Sequence, residues 1–430
     1  MLNVKYSAWA ARAPRSFFMR VFISAGEPSG DHHAALLVHA IHARRPDAEC
    51  IGLGGPQMAT AGCRLVADLT QLAVMWFLRA ILNIHRFIDM ARRAERSFID
   101  ARPDVCVLVD FPGFHWWLAW RAKRHGIPVV FYCPPQVWAW GSWRVGKMRR
   151  LVDHVLSALP FEHDWFSARG MRSTLVGHPF FDEFGAAAAH RGMAGQEADP
   201  LVLLLPGSRG QEIEGVLGTL VRAASEIHKR VPRTRFVIGA LHDRHARHMA
   251  DVLRSSVGAD GPVIEIHAGR TRSLIGEATA AIACSGSVSL ELMSARVPTV
   301  IVYRISGFAY IVQSFFRHAR FITLVNLLAV RAPVGPVRPQ WWPPREVAAA
   351  DPEAVYPEYL AVQDPALPAA GHVITWLEDP LARDRVVARL EVLARDIARP
   401  GSAARAAAAV LAIVAARAAP SAPLTESQAA

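Results

Sequence analysis

What this chain lacks narrows its class before any motif is read. No run of eighteen or more uncharged apolar residues occurs among its 430 residues. The longest candidate, Val297 to Phe316, is broken by Arg304, Ser306, Gly307 and Gln313, which argues against a transmembrane helix. Cysteine is scarce: Cys50, Cys63, Cys106, Cys133 and Cys284 are odd in number, widely spaced and free of any CxxC pair. Such a set is expected of reduced, buried thiols in a cytosolic protein. Residues 1–18 are basic but have neither the apolar core nor the small-residue cleavage site of a signal peptide. Met19 is a candidate start, because the strand-like Arg20 to Ser24 follows it at once. No GxSxG elbow is present, and no GxGxxG opens a helix. Gly141 to Lys147 (GSWRVGK) fills the first seven positions of a phosphate-binding P-loop, but Met148 stands where Ser or Thr would hold Mg²⁺. His242, His245 and His248 share a helical stripe, yet they alternate with Asp243, Arg244 and Arg247 on a solvated face. Neither a metal nor a cofactor is expected.

Acidic residues are also in deficit. Asp and Glu number 37 against 48 Lys and Arg, a formal net charge of +11. This excess calls for an acidic partner: nucleic acid, anionic lipid or a phosphorylated substrate. No nucleic-acid-binding motif is present, so no nucleic-acid partner is expected. Trp116, Trp117, Trp120, Trp138, Trp140 and Trp143 lie among Arg121, Lys123, Arg124, Arg144, Lys147, Arg149 and Arg150. Amphipathic rings beside cations suit a lipid headgroup layer. Core tryptophans next to a solvated basic face remain the competing reading.

What is present reads as α/β, with length for about two or three domains. The strand Arg20 to Ser24 runs through the turn Gly26 to Asp31 into a helical run from His32 to Arg44. Glu49 to Leu53 is a second strand, and Leu69 to Ile88 is an apolar segment with a cationic side. Val105 to Val109 is a continuous apolar strand, as in a parallel sheet buried on both faces, and Asp110 closes it. A helix near Leu118 to His125 and strands at Pro128 to Tyr132, Val152 to Leu159 and Ser173 to Val176 complete this half. The second half repeats the pattern, with strands at 201–205, 235–240, 263–267, 280–284 and 298–303. The expected divisions are an N-terminal extension (1–18), a first Rossmann-like domain (19–184), a linker (185–200) and a second such domain (201–380). C-terminal helices (381–418) and a disordered tail (419–430) follow, and the Pro-rich 331–357 reads as an irregular loop.

The chain is organised around Leu201 to Glu214, where a buried strand enters Pro206-Gly207-Ser208-Arg209-Gly210 and then a helix. Backbone N–H groups at that helix start, with the dipole behind them, favour an anion, and Arg209 adds a planar fork suited to phosphate. An ordinary βα loop with a surface Arg is the plain alternative. Ser285-Gly286-Ser287 forms a comparable turn at the same sheet edge, and Glu291 is a candidate for a ribose diol. Together these make a nucleotide-diphosphate site. Across a cleft, Asp110 is suited to act as general base for glycosyl transfer, with a helix cap or salt-bridge partner as its alternative role.

The motifs AGEPSGD (25–31), GLGGPQM (52–58), LAVM (72–75), PQVWAW (135–140), LPFE (159–162), VGHP (176–179), LLPGSRGQEI (204–213), SGSVSLE (285–291) and NLLA (326–329) occur in this order. In them the sequence resembles the lipid-A-disaccharide synthase family, inverting glycosyltransferases of Gram-negative outer-membrane biosynthesis. The resemblance implies a GT-B fold of two Rossmann-like domains facing a cleft. It implies transfer from UDP-2,3-diacylglucosamine to 2,3-diacylglucosamine 1-phosphate (lipid X), at the cytoplasmic face of the inner membrane. By the same carry-over, Asp110 and Arg209 are catalytic. Gly207, Ser208, Ser285, Gly286, Ser287, Glu291 and Asn326 lie on the UDP-sugar side, and Gly26, Ser29, Gly30, Asp31 and Met75 on the acceptor side. Membrane-surface lipids are implied partners, with a homodimer as a candidate assembly. The sequence departs from the family at Trp76 and Arg79, and again at Gly113 and His115, which stand where DAPDFN usually has Asp and Asn. A divergent glycosyltransferase with another UDP-sugar or acceptor, and a non-catalytic lipid- or nucleotide-binding relative, are the alternatives.

Overall fold

A computed structural model of the chain describes residues 18–73, 84–184, 199–256, 261–336 and 351–418. Its first sheet contains β1 (Arg20–Ala25), β2 (Glu49–Gly54), β3 (Arg64–Asp68), β4 (Val105–Val109), β5 (Val129–Tyr132), β6 (His154–Ser157) and β7 (Ser173–Leu175). The second contains β8 (Leu201–Leu205), β9 (Arg235–Ala240), β10 (Ile264–Ala268), β11 (Ala280–Cys284), β12 (Thr299–Arg304) and β13 (Glu358–Ala361). The orders are β3-β2-β1-β4-β5-β6-β7 and β10-β9-β8-β11-β12-β13, and the pairings are parallel, as between Ala25 and Val109 or Ala283 and Leu205.

Alternation explains why these strands read as unbroken apolar runs. In the first sheet, Phe22, Cys106 and Leu108 pack into one layer, while Val21, Ile23, Val107 and Val109 pack into the other. In β8, Val202 and Leu204 enter one layer and Leu201, Leu203 and Leu205 the other. Full burial of each large side chain is worth about 1.5–3 kcal/mol, so both sheet faces hold the fold. The five cysteines are free thiols, four of them buried.

The helices that bear on the site are α1 (Pro28–Arg44), α2 (Pro56–Thr60), α3 (Ile84–Asp100), α4 (Pro112–Arg124), α5 (Gly210–Arg230), α6 (Val288–Ser294), α7 (Pro380–Ile397) and α8 (Ser402–Ala418). Both α1 and α4 begin several residues before the positions read from sequence. Pro28 and Pro112 sit in their first turns, where a proline's missing N–H and fixed φ suit the helix. The apolar segment expected at Leu69 to Ile88 lies partly outside the described residues, as do the linker up to residue 198, residues 337–350 of the Pro-rich loop, and the tail.

Pro380–Arg417 is apolar enough by length and composition to cross a membrane, but it comprises two helices with separate duties. The first, α7, packs on α6 in the second half. Then α8 returns to the first half, where Ala406, Ala407 and Val410 are fully buried in the layer containing Val38 and Tyr132. Asp182 caps it, accepting from the Ser402 and Ala403 N–H groups at 2.7 Å each. The halves also meet near Trp140, where His318 N–H donates to the Ala139 carbonyl at 2.9 Å and Phe321 joins the first half's core.

Candidate functional site

In each sheet the strand order reverses between the first and fourth strands: β1 and β4 in one, β8 and β11 in the other. Loops leaving the carboxyl ends of such strands diverge to opposite faces and open a crevice, the usual ligand position in open α/β sheets. The segments singled out from sequence leave these four strands.

At the first crevice, β1 runs into Gly26 and Glu27 ahead of α1. A Cβ on Gly26 would stand 2.3 Å from the Phe111 ring, so this close approach admits only glycine. The neighbouring strand ends in Asp110 and Phe111, with φ of 54° and 47°. Left-handed backbone at such residues costs on the order of 1–3 kcal/mol each and persists only where the surroundings impose it. Here they do. His115, fully buried one turn into α4, approaches the Asp110 carbonyl through Nδ1 at 2.6 Å and Ser24 Oγ through Nε2 at 2.9 Å. Phe111 in turn stacks on Phe87 of α3.

Burial raises the Asp110 carboxyl above its ordinary 3.8, and the Phe111 N–H, donating to it, opposes the rise. Glu27 is raised above 4.5, first by burial and then by the negative charge of Asp110, while the positive charge of Arg209 pulls it down. The charges of Asp110, from the same half, and of Arg209, from the other, are thus both felt at Glu27. Nothing in the sequence motifs singles out Glu27. Its available signal was position, since it is the acid nearest the end of β1 in a turn already marked as a ligand edge.

The other acceptor-side residues divide. Ser29 is exposed in the first turn of α1, and Gly30 is buried with its Cβ position 3.6 Å from that of Asp110. Asp31 turns inward, 2% exposed, and accepts from the N–H groups of Gly55, Gln57 and Met58 at 2.7, 3.0 and 3.2 Å. It thereby caps α2 and ties it to the first turn of α1. Met75, Trp76 and Arg79 lie outside the described residues.

At the second crevice, Gly207 has φ +107°, and a Cβ there would stand 2.7 Å from Glu212 Oε2. Ser208 and Arg209 are exposed, with 78% of the Arg209 side chain accessible. One expectation is corrected here: the amides of this turn are not all free. Glu212 Oε2 accepts from the N–H groups of Ser208 and Arg209 at 3.1 and 3.3 Å, and Oε1 meets Arg209 Nη1 at 3.1 Å. A carboxylate at a helix start satisfies the same dipole that would attract phosphate.

In the companion turn, Gly286 and Ser287 are exposed, Glu291 is partly buried in α6, and Ser285 Oγ donates to the Ile322 carbonyl at 3.0 Å. Asn326 is fully buried. Its Nδ2 donates to the Tyr356 carbonyl and Glu358, and its Oδ1 accepts from the Val355 and Tyr356 N–H groups, at 2.8–2.9 Å throughout. Its side chain is spent on anchoring the segment that leads into β13.

Two parallel sheets of Rossmann order, with their switch points across a common crevice, define the GT-B class of glycosyltransferase. Solved structures agree on the fold. MurG of Acinetobacter baumannii matches with a TM-score of 0.53 at 14% identity, over 92% of this chain and 99% of that one. The Staphylococcus aureus MnaA–UDP co-structure matches at 0.58 and 9%, over 92% and 97%. Sequence relationships are narrower. The family profile described as Lipid-A-disaccharide synthetase matches residues 21–335. Lipid-A-disaccharide synthase of Myxococcus xanthus is 35% identical over 73% of this chain and 82% of its own length. That of Anaeromyxobacter dehalogenans strain 2CP-1 is 31% identical over 90% and 96%. The chain belongs to the lipid-A-disaccharide synthetase family and is an enzyme of lipid A disaccharide synthesis.

Proposed function

We propose that the enzyme transfers the diacylglucosaminyl group of UDP-2,3-diacylglucosamine to the 6-hydroxyl of 2,3-diacylglucosamine 1-phosphate, with inversion. Asp110 takes the proton as the hydroxyl oxygen bonds to the anomeric carbon. The bond from that carbon to the UDP oxygen breaks, and Arg209 with the 285–287 turn neutralises the departing diphosphate. Glu27 offers a second carboxyl to the acceptor hydroxyls. One observation carries the reading: Asp110 follows β4 and Arg209 lies in the turn after β8, each where the strand order of its sheet reverses.

A peripheral position on the inner face of the cytoplasmic membrane fits both acylated substrates. Supporting it, Trp117 and Trp120 are exposed on α4, and the guanidiniums of Arg121 and Arg124 lie 5.6 and 4.8 Å from the Trp120 ring centroid. Trp143 is 67% exposed beside Phe316. The deciding assay incubates purified protein with UDP-diacylglucosamine and lipid X and compares wild type with Asp110→Ala. UDP release that depends on both substrates and on Asp110 is expected. No release from wild type would remove this substrate pair, and release undiminished by Asp110→Ala would remove the base assignment alone.

A further inference from the structure

We propose that His115 is a positioning residue for the proton-accepting carboxylate: its Nδ1–H holds the Asp110 carbonyl, and that bond aims the Asp110 side chain into the crevice. The proposal rests on the reading of Asp110 as the base. A backbone carbonyl can only accept, so the ring nitrogen 2.6 Å from the Asp110 oxygen must carry the proton. The other nitrogen then has a free lone pair and accepts from the Ser24 hydroxyl at 2.9 Å. One tautomer satisfies both contacts.

The surroundings keep the ring neutral. Ser24 and His115 are fully buried, and the rings of Phe111, Phe114 and Phe131 lie 5.9–6.1 Å from the imidazole. Burial pushes the imidazole down to about 4. The bridge therefore stays in one protonation state across the neutral range.

The bridge also spans the elements that matter. Ser24 lies next to the last residue of β1, Asp110 follows the last residue of β4, and His115 sits one turn into α4. The left-handed backbone at Asp110 and Phe111 turns the Asp110 carbonyl towards α4, where His115 receives it. With that carbonyl held, the direction in which the Asp110 side chain leaves the backbone is fixed. Small errors in such a group are costly, because proton transfer requires it within hydrogen-bond reach of the hydroxyl.

Two substitutions separate the contacts. In His115→Asn the amide nitrogen stands as many bonds from Cα as Nδ1 does and keeps the carbonyl contact; in His115→Gln it stands where Nε2 does and keeps only the Ser24 end. The expected result is that His115→Asn retains kcat within about threefold, while His115→Gln loses about 10- to 100-fold in kcat at unchanged KM for the UDP-sugar. The acid limb of the pH profile should move in the Gln variant only. Imidazole ¹⁵N spectra of the wild type should show a neutral ring protonated at Nδ1 down to about pH 5, given a folded-state value of about 4. Equal kcat in the two variants, a loss in the Gln variant that follows its melting temperature, or a ring protonated at Nε2 would overturn the proposal. Equal variants with an inactive Asp110→Ala would sink the positioning role alone; full turnover by Asp110→Ala would sink the base reading and this role with it.

Discussion

Replacing Gly207 by alanine tests whether the turn after β8 is built for an anion or is an ordinary connection. The backbone φ of +107° is strained for any residue with a Cβ, at a cost of about 1–2 kcal/mol. The new Cβ would stand 2.7 Å from Glu212 Oε2 and 2.9 Å from Glu212 Cβ. A carboxylate can swing aside, but a Cβ moves only with its helix, so the first turn of α5 must shift. That shift pulls Glu212 away from the N–H groups of Ser208 and Arg209, and losing such a cap costs about 0.5–2 kcal/mol. The total is about 1.5–4 kcal/mol, the strain and cap costs added together. Ser208, Arg209 and Gly210 are exposed, so the loop should yield locally and relieve part of this without global unfolding. The expected result is a fall of about 1–2 kcal/mol in urea-unfolding free energy, with UDP affinity by calorimetry reduced about tenfold or more. Adding Glu212→Ala should be less than additive, because the clash and the cap involve one side chain. Unchanged stability together with unchanged UDP affinity would refute the reasoning, and a large global loss with UDP affinity intact would make the turn purely structural.

Arg209→Ala should leave unfolding free energy within about 0.5 kcal/mol, because the arginine end of its ion pair to Glu212 is exposed and Glu212 keeps its backbone partners, yet lower kcat about 10²–10³-fold; a variant that unfolds but keeps normal activity per folded molecule would make the arginine structural. Burial lifts Asp110 above 3.8 and Glu27 above 4.5, and a base works only when ionised, so kcat/KM should fall as pH drops through these raised values. A pH–rate profile whose acid limb lies at or below 3.8 would take the buried carboxylate out of the mechanism. Asn326→Ala strands the Val355 and Tyr356 N–H groups and should cost about 2–4 kcal/mol in urea unfolding, with KM for the UDP-sugar unchanged per folded molecule; a raised KM at normal stability would return Asn326 to the nucleotide. Paired Trp120→Ala and Trp143→Ala changes should weaken co-sedimentation with vesicles containing anionic phospholipid, and binding that is unaffected would place the membrane contact elsewhere.

Much of the fold was legible because parallel strands buried on both faces leave continuous apolar runs, as in Val105 to Val109 and Leu201 to Leu205. The edge strand β3 was not, since Arg64 to Asp68 is half-buried and mixes charge with apolar residues. The positions of Asp110 at the end of β4 and of Arg209 after β8 were legible from the same apolar runs, which show where each strand stops. Glu27 was hidden because the sequence pattern starts the helix at His32 and leaves this glutamate inside a turn with nothing to set it apart. The hold of Glu212 on the turn was hidden because the sequence marks the helix-start N–H groups for an anion, whereas Arg209 is the N-cap residue and Glu212, three residues on, accepts from them. The backbone partners of Asn326 and Asp31 were not legible, because a polar residue in a motif does not reveal which backbone groups it will satisfy.

One consequence follows from α4, which carries Asp110 just before its first turn and the exposed Trp117 and Trp120 further along. From Pro112 to Trp120 is eight residues of one rigid helix, or about 12 Å of rise. If those indoles rest among lipid headgroups, the helix works as a gauge. It sets how far an acylated sugar must be lifted before its hydroxyl meets the carboxylate, while the chains stay in the bilayer. Lengthening α4 by a turn would move the anchor without touching the chemistry, and turnover on vesicles would then diverge from turnover on short-chain substrates in solution.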